Sequence, residues 1–139
     1  MDEQYFTDLL HQRSLKATSA RLSLLTNIQE YNSAMPYSAI QSAMKSMDRV
    51  TLYRNLESLS QQGIIHKAYQ ENKESYYAIC GKRCSGTHHH HDHIHFKCTT
   101  CAAVTCETPS EVIKLSIPDH EIHKISINVE GVCKSCLLN

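Results

Sequence analysis

The apolar positions fall into two regimes. From Glu3 to Gln62 they recur every three or four residues, the period of amphipathic helices; from Ile64 onward they alternate or come in short blocks, the period of strands. In the first regime, residues 3 to 13 make a predicted helix with Tyr5, Phe6, Leu9 and Leu10 as its apolar stripe. Thr18 or Ser19 can cap a second helix in which Leu22, Leu25 and Ile28 share a face, and Asn32-Ser33 with Met35-Pro36 break it. Ser38 is expected to cap a third helix carrying Ile40, Ala43, Met44 and Met47. Asp48 caps a fourth, Arg49 to Gln62, with Leu52, Leu56 and Leu59 in one narrow stripe and Gly63 as its terminating C′ residue. Tyr53 and Arg54 lie about 100° and 200° around that wheel from Leu52, off the core side.

Past Gly63, residues 64 to 69 and 76 to 79 read as two strands joined by a polar turn through Glu71-Asn72-Lys73-Glu74. Helices three and four with this hairpin behind them have the order of a winged helix; a generic helical domain with a β-hairpin is the alternative. A linker rich in Gly, Lys, Arg and Ser, residues 80 to 87, follows. Beyond it, His93 to Lys97 alternates, placing His93 and His95 on one face and Ile94 and Phe96 on the other. Ala103 to Cys106 reads as a further strand, Pro109-Ser110-Glu111 as the start of a turn or short helix ended by Pro118, and Ile125 to Glu130 as a last strand with Ile125, Ile127 and Val129 inward. This second sheet has little core of its own, so it is expected to pair with a second copy. The expected class is α+β, with residues 1–82 and 88–139 as two domains and a hinge at about 80–87.

Cysteine spacing changes the picture most. Cys98-Thr99-Thr100-Cys101 is answered by Cys133-Lys134-Ser135-Cys136, two knuckles able to deliver four thiolates to one tetrahedral Zn²⁺. Two disulfides or unrelated thiols are the alternatives. A full Cys₄ shell leaves no open position, which makes such a zinc structural. The seven cysteines form an odd count, there is no export signal, and no apolar run approaches 18 residues, so a reducing cytoplasm is expected and no membrane span.

Ten histidines are the compositional outlier, five of them between His88 and His93 with His95 just beyond. His93 and His95 can meet one ion, with further ligands drawn from His88, His89, His90, His91, Asp92, Cys106, Glu107 or Glu111. Imidazole with carboxylate suits Fe²⁺, Mn²⁺ or Zn²⁺, and a thiolate tilts the choice toward Zn²⁺. A solvated polar loop is the bland alternative. The formal charge is zero, yet residues 11 to 54 hold six Lys/Arg (Arg13, Lys16, Arg21, Lys45, Arg49, Arg54) against Glu30 and Asp48, a local +4 that could neutralise phosphates or simply be a solvated face. A hydrolase or deaminase would need an open metal position with a base beside it, and the corresponding motifs are missing; a metal-storage sponge would need neither helix four nor the hairpin.

The succession Leu15-Lys16-Ala17-Thr18-x-x-Arg21, Thr51-Leu52-Tyr53-Arg54-Asn55-Leu56, Gly63-Ile64-Ile65, the tract His88 to His95, Cys98-x-x-Cys101 and Gly131-Val132-Cys133-x-x-Cys136 resembles the ferric uptake regulator family over nearly the whole chain. The resemblance implies a homodimeric, metal-dependent winged-helix repressor of metal-homeostasis genes, iron uptake first and zinc uptake or peroxide stress as alternatives. Its partner would be double-stranded DNA at A·T-rich inverted repeats, with no small-molecule substrate. It further implies Lys16, Arg21, Thr51, Tyr53 and Arg54 as DNA-facing residues, the four knuckle cysteines as a structural Zn²⁺ site, and His93 and His95 as ligands of a second divalent ion, Fe²⁺ or Zn²⁺ with Mn²⁺ a third candidate. The chain departs from the family at Met35-Pro36-Tyr37, Ala78, Ile94 and Ile125, where ligands are common, and at Cys106, which replaces a carboxylate. Cys80, Cys84, His120 and His123 are spare donors.

Overall fold

A computed structural model of the chain describes residues 2–79, 94–107, 109–111, 114–123 and 125–138. Four helices come first: α1 (Glu3–Gln12), α2 (Ser19–Glu30), α3 (Tyr37–Ala43) and α4 (Arg49–Gln61), with the two-residue strand β1 (Met35–Pro36) between α2 and α3. Three of the expected helix starts are capped as local chemistry dictates: Asp2, Thr18 and Asp48 each accept from a backbone N–H three residues on. The third is a correction. Ser38 is not the cap of α3 but lies inside it, and both its N–H and its hydroxyl donate to Glu74 Oε1, at 2.9 and 2.7 Å. The helix begins at Tyr37 behind Pro36, which offers no side-chain acceptor, so a carboxylate 36 residues away takes over the role.

Phe6, Leu10, Leu24, Leu25, Ile28, Ile40, Leu52, Leu56 and Leu59 form the core between the helices, joined by Ile64, Ile65 and Tyr77 from the hairpin. Leu52, Leu56 and Leu59 are fully buried, so truncating any one to Ala costs about 2–5 kcal/mol through lost contacts and a residual cavity. Gly63 ends α4 at φ 71°, in the left-handed region an L side chain resists, and Arg13 Nη1 donates to the carbonyl of Gln62 at 2.6 Å, fastening the end of α1 to the end of α4.

The hairpin is β2 (Ile65–Glu71) and β3 (Glu74–Ile79), turned by Asn72-Lys73, both at positive φ, with a bulge between Lys67 and Tyr69. Its sheet runs β1-β3-β2, with Pro36 on an edge strand, where a missing N–H costs nothing. The second sheet runs β5 (Val104–Glu107), β4 (Ile94–Cys98), β6 (Asn128–Gly131), β4 being antiparallel to β5 and parallel to β6. A short helix, α5 (Lys134–Leu137), closes the chain.

One expectation for this part changes. The last strand begins at Asn128 and not Ile125, because it pairs only where β4 runs alongside; Ile125 is half exposed, while Ile127 and Val129 are partly covered. Residues 109–111 and 114–118 carry no helix. The linker at 80 to 87 and the tract His88 to His93 lie outside the described residues.

The hairpin packs on the second sheet. Ala34, Ala68 and Val104 are buried together under Tyr69, Tyr76 and Ala78, and the Ala34 N–H donates to the Val104 carbonyl at 2.6 Å. Lys97 pairs with Glu71 and holds its ammonium 5.3 and 5.9 Å above the Tyr69 and Tyr76 rings, while the Tyr69 hydroxyl donates to Glu130 Oε1 at 3.0 Å.

Candidate metal centres and nucleic-acid face

The knuckles bring Cys98, Cys101, Cys133 and Cys136 together, each offering a sulfur within 4.8 Å of the other three. In a tetrahedron with Zn–S bonds of about 2.3 Å the sulfurs stand about 3.8 Å apart. Cys101 and Cys133 Sγ are 3.8 Å apart, so the cluster fits that ion. Backbone builds it: the N–H groups of Cys101 and Cys133 point at Cys98 Sγ at 3.4 and 3.3 Å, and Ala102, at φ 65°, turns the chain so that its own N–H returns to the Cys98 carbonyl. Those N–H donors hold the Cys98 thiol down to about 6, whereas hydrogen bonding with its sulfur neighbours, Cys133 first, pushes Cys136 up to about 12. Four thiolates this close repel one another, and a divalent cation is what resolves the repulsion.

A second group joins the two sheets. His66 on β2, His95 on β4 and Cys106 on β5 offer ligand atoms that all lie within 4.8 Å of one another. Register explains the convergence: His95 sits directly opposite Cys106 on the β4–β5 ladder, so their side chains share a face. His66 arrives from the other sheet, its ring stacked on that of His95 at 5.4 Å between centroids and its Nε2 3.4 Å from Cys106 Sγ. A tetrahedral ion with N and S donors spaces them by about 3.6 Å, so His66 and Cys106 also fit one ion. Burial, helped by Glu107 beside it, pushes the Cys106 thiol up to about 11, so a cation entering here must displace a proton.

His66 went unread in the sequence, although it left a signal, a lone imidazole inside the apolar run Ile64-Ile65-His66-x-Ala68. On the β2–β3 ladder its partner is Ala78, the position where the family resemblance leads one to expect an acidic ligand. His88, His89, His90, His91, Asp92 and His93 lie outside the described residues, as do Cys80 and Cys84. Glu111 is exposed and belongs to neither cluster. His120 contacts the Pro118 carbonyl, and His123 the Glu121 carboxylate, both in the open.

In the helical part, α4 presents Val50 and Tyr53, each 59% exposed, with Arg54 exposed beside them. Thr51 is exposed but held by Asp48, which accepts from both its N–H and its hydroxyl; these bonds keep the Asp48 carboxyl below its ordinary value. Lys16 is exposed on the loop before α2. Arg21 is engaged within the protein: its Nε donates to Asn55 Oδ1 at 3.1 Å and its Nη1 to the Lys16 carbonyl at 2.9 Å.

The family model of the ferric uptake regulator family matches residues 12–130. The ferric uptake regulation protein of Staphylococcus aureus is 33% identical over 136 residues, 92% of this chain and 93% of the relative; that of Staphylococcus epidermidis is 32% identical over 139 residues, 94% of each. Among solved structures, holo XcZur superposes with a TM-score of 0.69 at 17% identity, covering 99% of this chain and 97% of its own. A zinc uptake regulator complexed with zinc and DNA gives 0.66 at 22% identity (98% and 93%), and the ferric uptake regulator of Pseudomonas aeruginosa with manganese 0.63 at 16% (96% and 99%). At those identities the structures speak for the fold alone. The sequence matches, spanning both the helical part and the second sheet, establish that this chain belongs to the ferric uptake regulator family.

Proposed function

We propose that this metal-responsive regulator is a homodimeric repressor that grips A·T-rich inverted repeats when an ion occupies the His66–His95–Cys106 site, and that it is not an enzyme. The observation that carries this reading is the convergence of donors from β2, the strand following the DNA-facing helix, with donors from β4 and β5. Ligands on both sheets mean that occupancy fixes the angle between hairpin and second sheet. In a twofold pair that angle sets the spacing of two α4 helices, and spacing decides whether both fit successive turns of one duplex. The knuckle cysteines hold Zn²⁺ and keep the second sheet folded. Tyr53 and Arg54 face bases, a tyrosine ring against a thymine methyl and a guanidinium against a base edge or phosphate, with Lys16 reaching an adjacent groove.

Control of iron uptake is the reading supported by the curated relatives. The donor set at the second site supports a zinc-uptake regulator instead: two imidazoles and a thiolate favour Zn²⁺ over Fe²⁺ or Mn²⁺, which prefer carboxylates. His93 remains a proposed additional ligand.

Anaerobic titration of the zinc-loaded dimer with Zn²⁺, Fe²⁺ and Mn²⁺, followed by fluorescence anisotropy on an A·T-rich inverted repeat, tests this. Zn²⁺ should tighten binding at least about tenfold, roughly 1.4 kcal/mol. His93→Ala with His95→Ala should abolish that response while one zinc per chain stays bound, and Arg54→Ala should weaken operator binding at unchanged zinc content. A double variant that still responds to metal would overturn the site.

A further inference from the structure

Arg21 falls in the stretch from 11 to 54 that holds six Lys/Arg against two acids, where a phosphate contact is the obvious assignment, but its bonds point elsewhere. Thr18 Oγ1 caps α2 by accepting from the Arg21 N–H at 3.2 Å, which fixes the root of the side chain. From there the guanidinium reaches in two directions. Nη1 donates to the carbonyl of Lys16, on the loop ahead of α2, and Nε donates to Asn55 Oδ1, in the middle of α4. Asn55 is itself oriented: its Nδ2 donates to the Thr51 carbonyl at 2.9 Å one turn earlier and approaches Met47 Sδ at 3.9 Å, which leaves Oδ1 as the acceptor for Arg21. Arg21 and Asn55 are both partly covered, whereas Lys16, Tyr53 and Arg54 are exposed.

Resting on the DNA-binding reading above, we propose that Arg21 is a positioning residue, a brace through Asn55 that sets the loop carrying Lys16 at a fixed place relative to the turn of α4 carrying Tyr53 and Arg54. These are the two elements offered to DNA, and Arg21 and Asn55 stand 34 positions apart in the chain. Left loose, the loop loses conformational freedom on binding; held in advance, it adds its contact to that of α4 without that loss. The planar fork matters here more than the charge, since an ammonium cannot donate along both directions in one fixed geometry.

Arg21→Lys keeps the charge and removes the fork, so it separates a brace from a phosphate contact. Anisotropy is read on the operator and on a scrambled duplex across a salt series, with metal and zinc content checked. The brace requires Arg21→Lys and Asn55→Ala each to lower operator affinity about 5- to 30-fold, with scrambled-duplex affinity and salt slope unchanged. The double variant should be no worse than either single change. Lys16→Ala should also cost less in the Arg21→Lys background than in wild type, a comparison made within a folded protein whatever the fate of Asn55→Ala. Wild-type operator binding by Arg21→Lys overturns the brace, as does an equal loss on both duplexes in Arg21→Gln with the salt slope reduced by about one, the signature of a lost phosphate contact. If the wild-type chain does not discriminate operator from scrambled DNA, the DNA-binding reading fails first and takes the brace with it.

Discussion

Cys106 Sγ lies 3.4 Å from Nε2 of His66, a contact between two sheets made by residues 40 positions apart. No local rule produces it. The β4–β5 register puts Cys106 beside His95, and the packing of Ala68 on Val104 brings β2 close enough for His66 to complete the group.

If this thiol is a ligand, its proton must leave when the ion arrives. With Cys106 pushed up to about 11, the thiol is protonated throughout the neutral range, so affinity for Zn²⁺ at the second site should rise with pH. Cys106→Ser should weaken Zn²⁺ binding there by more than the roughly 10- to 100-fold that loss of a mere ligand-orienting group costs and release roughly one fewer proton per ion. Calorimetry in buffers of different ionisation enthalpy counts that proton. An unchanged proton count would take Cys106 out of the ligand set. Cys106→Asp should shift preference toward Fe²⁺ and Mn²⁺, because a carboxylate replaces a soft sulfur.

The four knuckle cysteines make a different prediction. Cys98 is fully buried where β4 ends, and it draws N–H groups from both knuckles, so Cys98→Ser should abolish tightly bound zinc. Because binding and folding share one free energy in such a site, amide hydrogen-exchange protection in β4, β5 and β6 should be lost while the far-UV helical signal persists. Zinc retained at wild-type level, measured by elemental analysis, would contradict the assignment.

Glu74 gives α3 its missing cap, and the bonds from Ser38 hold its carboxyl below the ordinary value of 4.5. A depressed folded value means that the contribution is fully present above the unfolded value and disappears as pH falls through the folded one. Glu74→Ala should therefore lower stability at pH 7 by about 0.5 kcal/mol, the low end for a cap at an exposed site. The difference from wild type should shrink in urea melts as pH is lowered from 4.5 through the folded value. A difference that persists there would mean that packing, and not the charge, is responsible.

Most of the helical part was legible in the chain because its determinants are local. Asp2, Thr18 and Asp48 cap within three residues of themselves, Gly63 ends α4 by its own backbone freedom, and the Leu52–Leu56–Leu59 stripe follows from helical period alone. The hairpin was legible for the same reason, since Asn72-Lys73 turns it. Local pattern misplaces the cap of α3 at Ser38 because the acceptor comes from β3, and it overextends the last strand because that strand's length depends on where β4 lies.

By itself the sequence determined what depends on neighbours along the chain: helix limits, the hairpin, the two knuckles and the exposed Tyr53 on α4. Only the tertiary structure decided which residues meet across strands. It set His66 against His95 and Cys106, placed Ala78 opposite His66, and turned Arg21 onto Asn55. Register and sheet packing carry that information, and no spacing within one segment encodes either of them.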